Sequence, residues 1–153
     1  MIDPDDPSFL HSGDMPERIR GFCSQTGQKV PETRGEIARV ILEGIALRYR
    51  LVLEKLENLT GKHFNPIHII GGGTKNQLLS QFSADCTGRT VITGPIEATA
   101  IGNALMQAIA LGHLGSLAEA RNVVRASFTP DIFHPGQSAG WDQAYETFQK
   151  VTK

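Results

Sequence analysis

The sequence predicts a mixed α/β fold with two strands and about six helices. An apolar run at residues 67–70 leads through three consecutive glycines, Gly71, Gly72 and Gly73, into a segment whose apolar residues have helical spacing. A second short apolar run, residues 89–93, ends at a Gly-Pro turn before another helical segment. Strands that alternate with helices in this order are typical of α/β domains.

Composition and charge exclude several classes of protein. The 153 residues suit one domain, and 40% hydrophobic with 20% charged residues is a globular composition. A formal net charge of −1 without a basic patch argues against nucleic acid and anionic membranes as partners. No apolar stretch is long enough to span a bilayer. The two cysteines and five histidines lack the spacing of a metal site, and nothing suggests a disulfide framework or a signal peptide, so we expect a cytoplasmic protein.

Residues 1–31 are expected to form a loop and a short helix, and residues 32–153 the core of helices and strands. The run Asp-Pro-Asp-Asp-Pro at residues 3–7 favours a solvated turn over a metal site, because no further ligands follow at metal spacing. Asp14 and Glu17 form a capping pair for the short helix.

A long helix is predicted from about Gly35 to Leu59. Thr33 and Glu36 form a capping box at its start, and Gly61 follows its end. Two apolar stripes predict that it is covered on more than one side. The first stripe consists of Ile41, Ile45, Tyr49, Val52, Leu56 and Leu59, and the second of Ala38, Leu42 and Leu53.

The glycine turn at residues 71–73 is the strongest candidate for a ligand site. Glycines let a base or ribose approach the main chain closely, and the start of the helix that Thr74 is expected to open offers unpaired N–H groups. The alternative is a tight connection without a ligand. The spacing matches neither the GxGxxG nor the P-loop motif, so neither mechanism is inferred.

The remaining segments are predicted to add helices and a loop but no third strand to the sheet. We predict a helix rich in small residues at 97–111, a short helix at 116–126 with a Ser116–Glu119 capping box, and a loop at 128–136. Glu97 is interpreted as a helix-start carboxylate rather than a functional acid. The last helix carries a packing stripe formed by Trp141, Tyr145 and Phe148. Six helices on two strands suggest either a bundle around a small sheet or a sheet completed by sequence outside this chain.

The runs GGGTKNQLLSQFSAD and VITGPIEATAIGNAL, the opening IDPDDPSF and the long helix together resemble the C-terminal domain of the FGGY carbohydrate kinases over nearly the whole chain. The resemblance implies a single, incomplete domain of the actin- and hexokinase-like (ribonuclease H-like) ATPase fold, with ATP in the cleft between two domains. It implies that Gly71, Gly72 and Gly73 lie along the adenosine, with Gly72 against the nucleotide. It also implies that Asn76 contacts the adenine.

The resemblance further implies an enzyme that transfers the γ-phosphoryl group of MgATP to the 1-hydroxyl of L-rhamnulose, with xylulose, gluconate or another polyol left open. The family's phosphate loop, catalytic aspartate and sugar-binding residues have no counterpart here. We therefore expect no catalytic or metal-binding residue in this chain, Mg²⁺ held mainly by the missing N-terminal part, and no activity from the fragment alone. A non-catalytic nucleotide-binding or assembly module is the alternative. Exposed apolar faces and strand edges also favour self-association of the fragment.

Overall fold

The computed structural model describes residues 1–136 and 139–152, and within them the predicted α/β class is confirmed. This part of the chain contains six α-helices, three strands and two short 3₁₀ turns. The helices are α1 (Met15–Gln25), α2 (Arg34–Thr60), α3 (Gln77–Thr87), α4 (Ala98–Ala110), α5 (Leu117–Ser127) and α6 (Trp141–Val151). The strands are β1 (Ile67–Ile69), β2 (Val91–Thr93) and β3 (Ile132–Phe133), and the 3₁₀ turns are Pro7–Phe9 and Gly72–Lys75.

The three strands form one sheet in the order β1-β2-β3. β1 and β2 are parallel, with Ile67 opposite Val91, and β3 runs antiparallel to β2, with Phe133 opposite Val91. The prediction of two strands and a loop at 128–136 is therefore wrong at β3. A strand of two residues is too short to show an alternating pattern, so the sequence carries no signal for it.

Capping residues set the bounds of α2 as the sequence predicts. The Thr33 hydroxyl accepts a hydrogen bond from the Glu36 N–H at 3.2 Å, and the Glu36 carboxylate accepts one from the Thr33 N–H at 3.0 Å. Gly61 ends the helix in the left-handed region, at φ 64°.

The main core lies between α2, α3 and α6. Ala46 and Leu47 of α2 meet Leu79 and Cys86 of α3, and α6 completes the cluster with Tyr145 and Phe148. The Trp141 ring packs against Phe82 with 5.3 Å between ring centroids. The aromatic stripe of the last helix is thus a packing surface, as predicted.

A second core joins the start of the chain to α1 and α2. It consists of Ile2, Ile19, Phe22, Cys23 and Ile37. Gly44 of α2 allows this contact, because a Cβ at that position would lie 2.2 Å from the Ile2 carbonyl oxygen.

The aspartates of the opening turn bind an arginine. Arg48 of α2 forms ion pairs with Asp5 at 2.7 Å and with Asp3 at 3.5 Å. The Asp5 N–H donates to the Asp3 carboxylate at 3.1 Å, which is the predicted turn chemistry. The expectation of a solvated turn is wrong for Asp3, which is buried between the turn and α2.

The predicted burial of α2 is wrong in its second half. Tyr49, Val52, Leu56 and Leu59 are all exposed, with Leu59 at 83%. The buried residues of the helix are Ile37, Gly44, Ala46 and Leu47. Apolar spacing identifies a stripe that favours burial, but α3 and α6 cover a different side of the helix.

Helices α4 and α5 form a hairpin, here named the α4–α5 hairpin. They are consecutive in the chain and pack mainly on each other. α4 is the most apolar helix of the described chain, yet it has no buried residue. None of the helices within residues 1–136 and 139–152 combines the length and apolarity needed to cross a bilayer.

Candidate functional site

The glycine turn connects β1 to α3 at the carboxyl end of the parallel pair. Gly71 has φ 81°, a conformation that glycine adopts without strain. Its N–H donates to the Pro95 carbonyl at 3.1 Å, and its carbonyl accepts from the Thr74 N–H at 3.1 Å and the Thr74 hydroxyl at 2.8 Å. Ligands of open α/β sheets bind at this end of the strands.

The helix after the glycines begins later than predicted. Thr74 does not open it, because the Thr74 hydroxyl is bonded back to Gly71 within the 3₁₀ turn Gly72–Lys75. Asn76 is the N-cap instead, and α3 begins at Gln77. A 3₁₀ turn of four residues therefore separates the first glycine from the helix N-terminus.

Gly72 and Gly73 are exposed, and the space beside Gly72 is open. A Cβ built on Gly72 would meet no heavy atom of the described chain within 4 Å, whereas one on Gly73 would lie 3.8 Å from the Ile69 side chain. The backbone of the turn can therefore be approached from solvent at Gly72, the position that the resemblance places against the nucleotide.

The side chain of Asn76 is oriented by its role as a cap. Its Oδ1 accepts a hydrogen bond from the Leu79 N–H at 3.0 Å. Only the amide oxygen can accept that proton, so Nδ2 faces away from the helix start with two N–H donors. Within the described residues, Nδ2 donates to no other group. With Oδ1 engaged by the helix start, the group that Asn76 can offer to a base edge is the Nδ2 donor.

A second glycine turn lies beside the first. Gly94 follows β2, and its N–H donates to the Ile69 carbonyl at 2.8 Å. A Cβ on Gly94 would lie 2.8 Å from Cγ2 of Ile70. The sequence predicts a turn at Gly94 and Pro95, but it does not predict that this turn lies against the end of β1. A glycine directly after a second strand that runs parallel to the first is the signal that could have revealed it.

A cleft of about 1010 Å³ opens beside these turns, and we name it the hairpin cleft. One wall consists of the sheet and the residues after it, and the other of the first turn of α4 and the last turn of α5. Its lining includes His68, Ile92, Ile101, Val124 and Phe128. It approaches the glycine turn through the residues that follow it, Thr74, Lys75 and Gln77. The predicted site residues Gly71, Gly72, Gly73 and Asn76 do not line it.

The described residues contain no group of three or more His, Cys, Asp or Glu side chains that could hold a metal ion. The glycine turn offers backbone groups and one amide, which suit a neutral base or ribose rather than a cation.

Comparison with known proteins identifies the family. Residues 1–111 match the C-terminal domain of the FGGY family of carbohydrate kinases. The chain belongs to this family. The matched range contains the glycine turn, β2 and the whole of α4, so the resemblance seen in the sequence is confirmed.

Several curated relatives in this family are rhamnulokinases. The chain is 44% identical to rhamnulokinase of Bacteroides thetaiotaomicron over 153 residues, which is 100% of this chain and 32% of that protein. It is 45% identical to rhamnulokinase of Bacillus subtilis over 135 residues, which is 88% of this chain and 28% of that protein. The chain thus spans about a third of the length of the curated relatives that it matches.

Solved structures of sugar kinases share the fold. The chain superposes on xylulose kinase from Rhodospirillum rubrum with a TM-score of 0.63 and 24% identity, covering 82% of this chain and 25% of that one. It superposes on Plasmodium falciparum glycerol kinase, solved with ADP, with a TM-score of 0.65 and 23% identity, again covering 82% and 25%. At this identity the comparison establishes the fold and leaves the site residues to be tested.

Proposed function

We propose that the chain is the adenosine-binding C-terminal part of an ATP-dependent sugar kinase. The observation that carries the proposal is the open backbone at Gly72 followed by Asn76, whose cap hydrogen bond leaves its NH₂ group free to donate. The ring nitrogens of adenine are acceptors that such a donor fits. Gly71 and Gly73 shape the turn along the ribose. The ADP in the glycerol kinase structure supports a nucleotide as the ligand of this fold.

In the whole protein, the γ-phosphoryl group of ATP would pass to the 1-hydroxyl of L-rhamnulose. The rhamnulokinase relatives support this acceptor, and the xylulose kinase and gluconate kinase neighbours keep those sugars as alternatives. Phosphoryl transfer depends mostly on positioning and on stabilising charge. We place the base that accepts the sugar's proton, and the groups that hold Mg²⁺, in polypeptide outside this chain.

The 153 residues are expected to bind the nucleotide without catalysing phosphoryl transfer. A coupled assay for ADP release, with L-rhamnulose and MgATP, tests this directly. Turnover that depends on L-rhamnulose and exceeds the buffer blank would show that the chain carries its own catalytic groups.

Two variants of Asn76 test the adenosine site. Asn76→Ser keeps a cap oxygen but removes the NH₂ donors, and Asn76→Ala removes both. Calorimetric titration with ADP should show weaker binding in both variants, by about tenfold for the loss of one net hydrogen bond of about 1.4 kcal/mol. Chemical unfolding should separate them, because only the alanine variant loses the cap, which is worth about 1 kcal/mol.

The serine variant is the matched control for helix stability. Unchanged ADP affinity in Asn76→Ser would refute the role of the amide. Absence of ADP binding by the unmodified chain would favour the second candidate, a non-catalytic assembly module. The unburied apolar surface of α4 is the observation that favours that candidate.

A further inference from the structure

The second glycine turn, which follows β2, lies against the end of β1 because residue 94 has no side chain. Ile69 and Thr93 are register partners in the parallel pair, so Gly94 comes level with Ile70 just beyond the last pair. A Cβ on Gly94 would lie 2.8 Å from Cγ2 of Ile70, which is closer than real Cβ atoms come to another heavy atom. Gly94 does not have a positive φ, so its backbone conformation would admit another residue. The close approach to Ile70 is therefore what requires glycine at this position.

Two backbone hydrogen bonds depend on this approach. The Gly94 N–H donates to the Ile69 carbonyl at 2.8 Å. The carbonyl of the next residue, Pro95, accepts from the Gly71 N–H at 3.1 Å, and Gly71 is the residue whose φ of 81° starts the first glycine turn. The turn after β2 is thus bonded to the chain on both sides of Ile70, and it sets the direction in which the main chain enters the first glycine turn.

We propose that Gly94 is a positioning residue for the nucleotide. It acts through Ile70 and Gly71, and by holding Gly71 in place it keeps the open backbone at Gly72 aligned with the ligand. A side chain at position 94 would push the two turns apart and leave the Gly71 N–H without its partner. This role rests on the proposed adenosine site, and it extends that site to a residue that need not touch the nucleotide.

The alternative response to a Cβ at position 94 is a rotation of the Ile70 side chain. Isoleucine carries two carbons on Cβ, so among its three staggered χ1 rotamers only one places a hydrogen where Cγ2 now lies. Because Ile70 is 63% exposed, that rotation would leave the two turns in contact. The two responses differ in their effect on the ligand. Rotation keeps the glycine turn ordered, whereas separation loosens it and adds an ordering cost to nucleotide binding.

A cycle of alanine substitutions distinguishes the two responses. Gly94→Ala adds the clashing carbon, and Gly102→Ala in α4 is the matched control, because a Cβ at Gly102 would meet no heavy atom of the described chain within 4 Å. Ile70→Ala removes Cγ2 and leaves Cβ, which lies 3.8 Å from the added carbon, so the double variant with Gly94→Ala has room again. For each chain, the ADP affinity would be measured by calorimetric titration, and the exchange rate of the Gly71 amide hydrogen by NMR.

We expect Gly94→Ala to weaken ADP binding by about fivefold or more and to speed exchange of the Gly71 amide by about tenfold or more, while Gly102→Ala changes both by less than about twofold. The double variant should bind ADP as tightly as Ile70→Ala alone. A folded Gly94→Ala chain with normal ADP affinity, or a double variant as weak as Gly94→Ala, would overturn the positioning role and leave the adenosine site standing. Weaker binding without faster exchange at Gly71 would overturn it too. Absence of ADP binding by the unmodified chain would instead refute the adenosine site, and this role with it.

If Gly94→Ala fails to fold, the unmodified chain tests the same contact. Saturating ADP should slow exchange of the Gly94 amide, which is bonded to Ile69, together with that of the Gly71 amide. The Ile67 amide is the internal control, because it is bonded to the Thr90 carbonyl at 2.9 Å at the other end of β1 and should be unaffected. Protection that reaches Gly71 but not Gly94 would overturn the proposal.

Discussion

Gly44→Ala should destabilise the chain, although alanine is the better helix former. Gly44 lies in the interior of α2, where alanine normally gains about 1 kcal/mol over glycine. The new Cβ would lie 2.2 Å from the Ile2 carbonyl oxygen and 3.1 Å from Ile2 Cγ1. A rotamer change cannot relieve a clash with a backbone oxygen, so the opening segment must move away from α2 by about 1 Å or detach.

The size of the loss follows from what Ile2 contributes. Ile2 is 4% exposed, and burying an isoleucine side chain stabilises by about 1.5–3 kcal/mol. The ion pair between Asp3 and Arg48 would weaken with it. After subtraction of the gain in helix propensity, we expect a net loss of about 0.5–2 kcal/mol in the free energy of unfolding.

Urea unfolding measures the effect, with fluorescence of Trp141 as the probe, since this single tryptophan packs in the main core. Gly21→Ala is the matched control, because a Cβ at Gly21 in α1 would meet nothing within 4 Å. That variant should gain about 0.5–1 kcal/mol. If Gly44→Ala proved as stable as Gly21→Ala, the packing of the opening segment against α2 would be refuted.

Three further predictions concern titratable groups. Hydrogen bonds from the Thr33 and Glu32 N–H groups lower the pKa of Glu36 to about 2, so its stabilising contribution is present above pH 4.5 and lost as the pH falls towards 2. Glu36→Gln should therefore flatten the acid limb of a plot of unfolding midpoint against pH. Burial, and the hydrogen bond that the Tyr145 hydroxyl donates to Glu54 at 2.7 Å, raise the pKa of Tyr145 to about 12. The contribution of the neutral hydroxyl to the free energy of unfolding is therefore present in full below pH 10 and is lost as the pH rises through 12. Tyr145→Phe should cost about 1–2 kcal/mol in urea unfolding at pH 7, and no change would contradict the bond. Burial raises the pKa of Cys86 to about 12, so a thiol reagent at pH 8 should modify it only in denaturant, and rapid modification of the native chain would contradict this burial.

Local chemistry made much of the fold predictable. Thr33 with Glu36, and Gly61 at the other end, fix α2 within one residue of its predicted bounds, because caps depend only on neighbours in sequence. The α/β class followed from the two apolar runs that precede glycine turns. The start of α3 was missed because Thr74 and Asn76 are both residue types that cap helices, and the sequence does not show that Thr74 bonds back to Gly71 within a 3₁₀ turn while Asn76 caps the helix.

Burial and the candidate site were less predictable. Val52 and Leu56 carry the spacing of a buried stripe, but spacing does not tell whether the covering element belongs to the same chain. Gly72 and Asn76 could be singled out from the sequence, and their roles remain predictions. The hairpin cleft had no sequence signal, because it depends on how α4 and α5 lie against β2.

The hydrogen bond from the Gly71 N–H to the Pro95 carbonyl ties the glycine turn after β1 to the segment between β2 and α4. Pro95 lines the hairpin cleft just before α4, and Gly71 opens the glycine turn. The two turns are therefore ordered together, and a ligand held at the glycine turn would also restrict the residues that lead into α4.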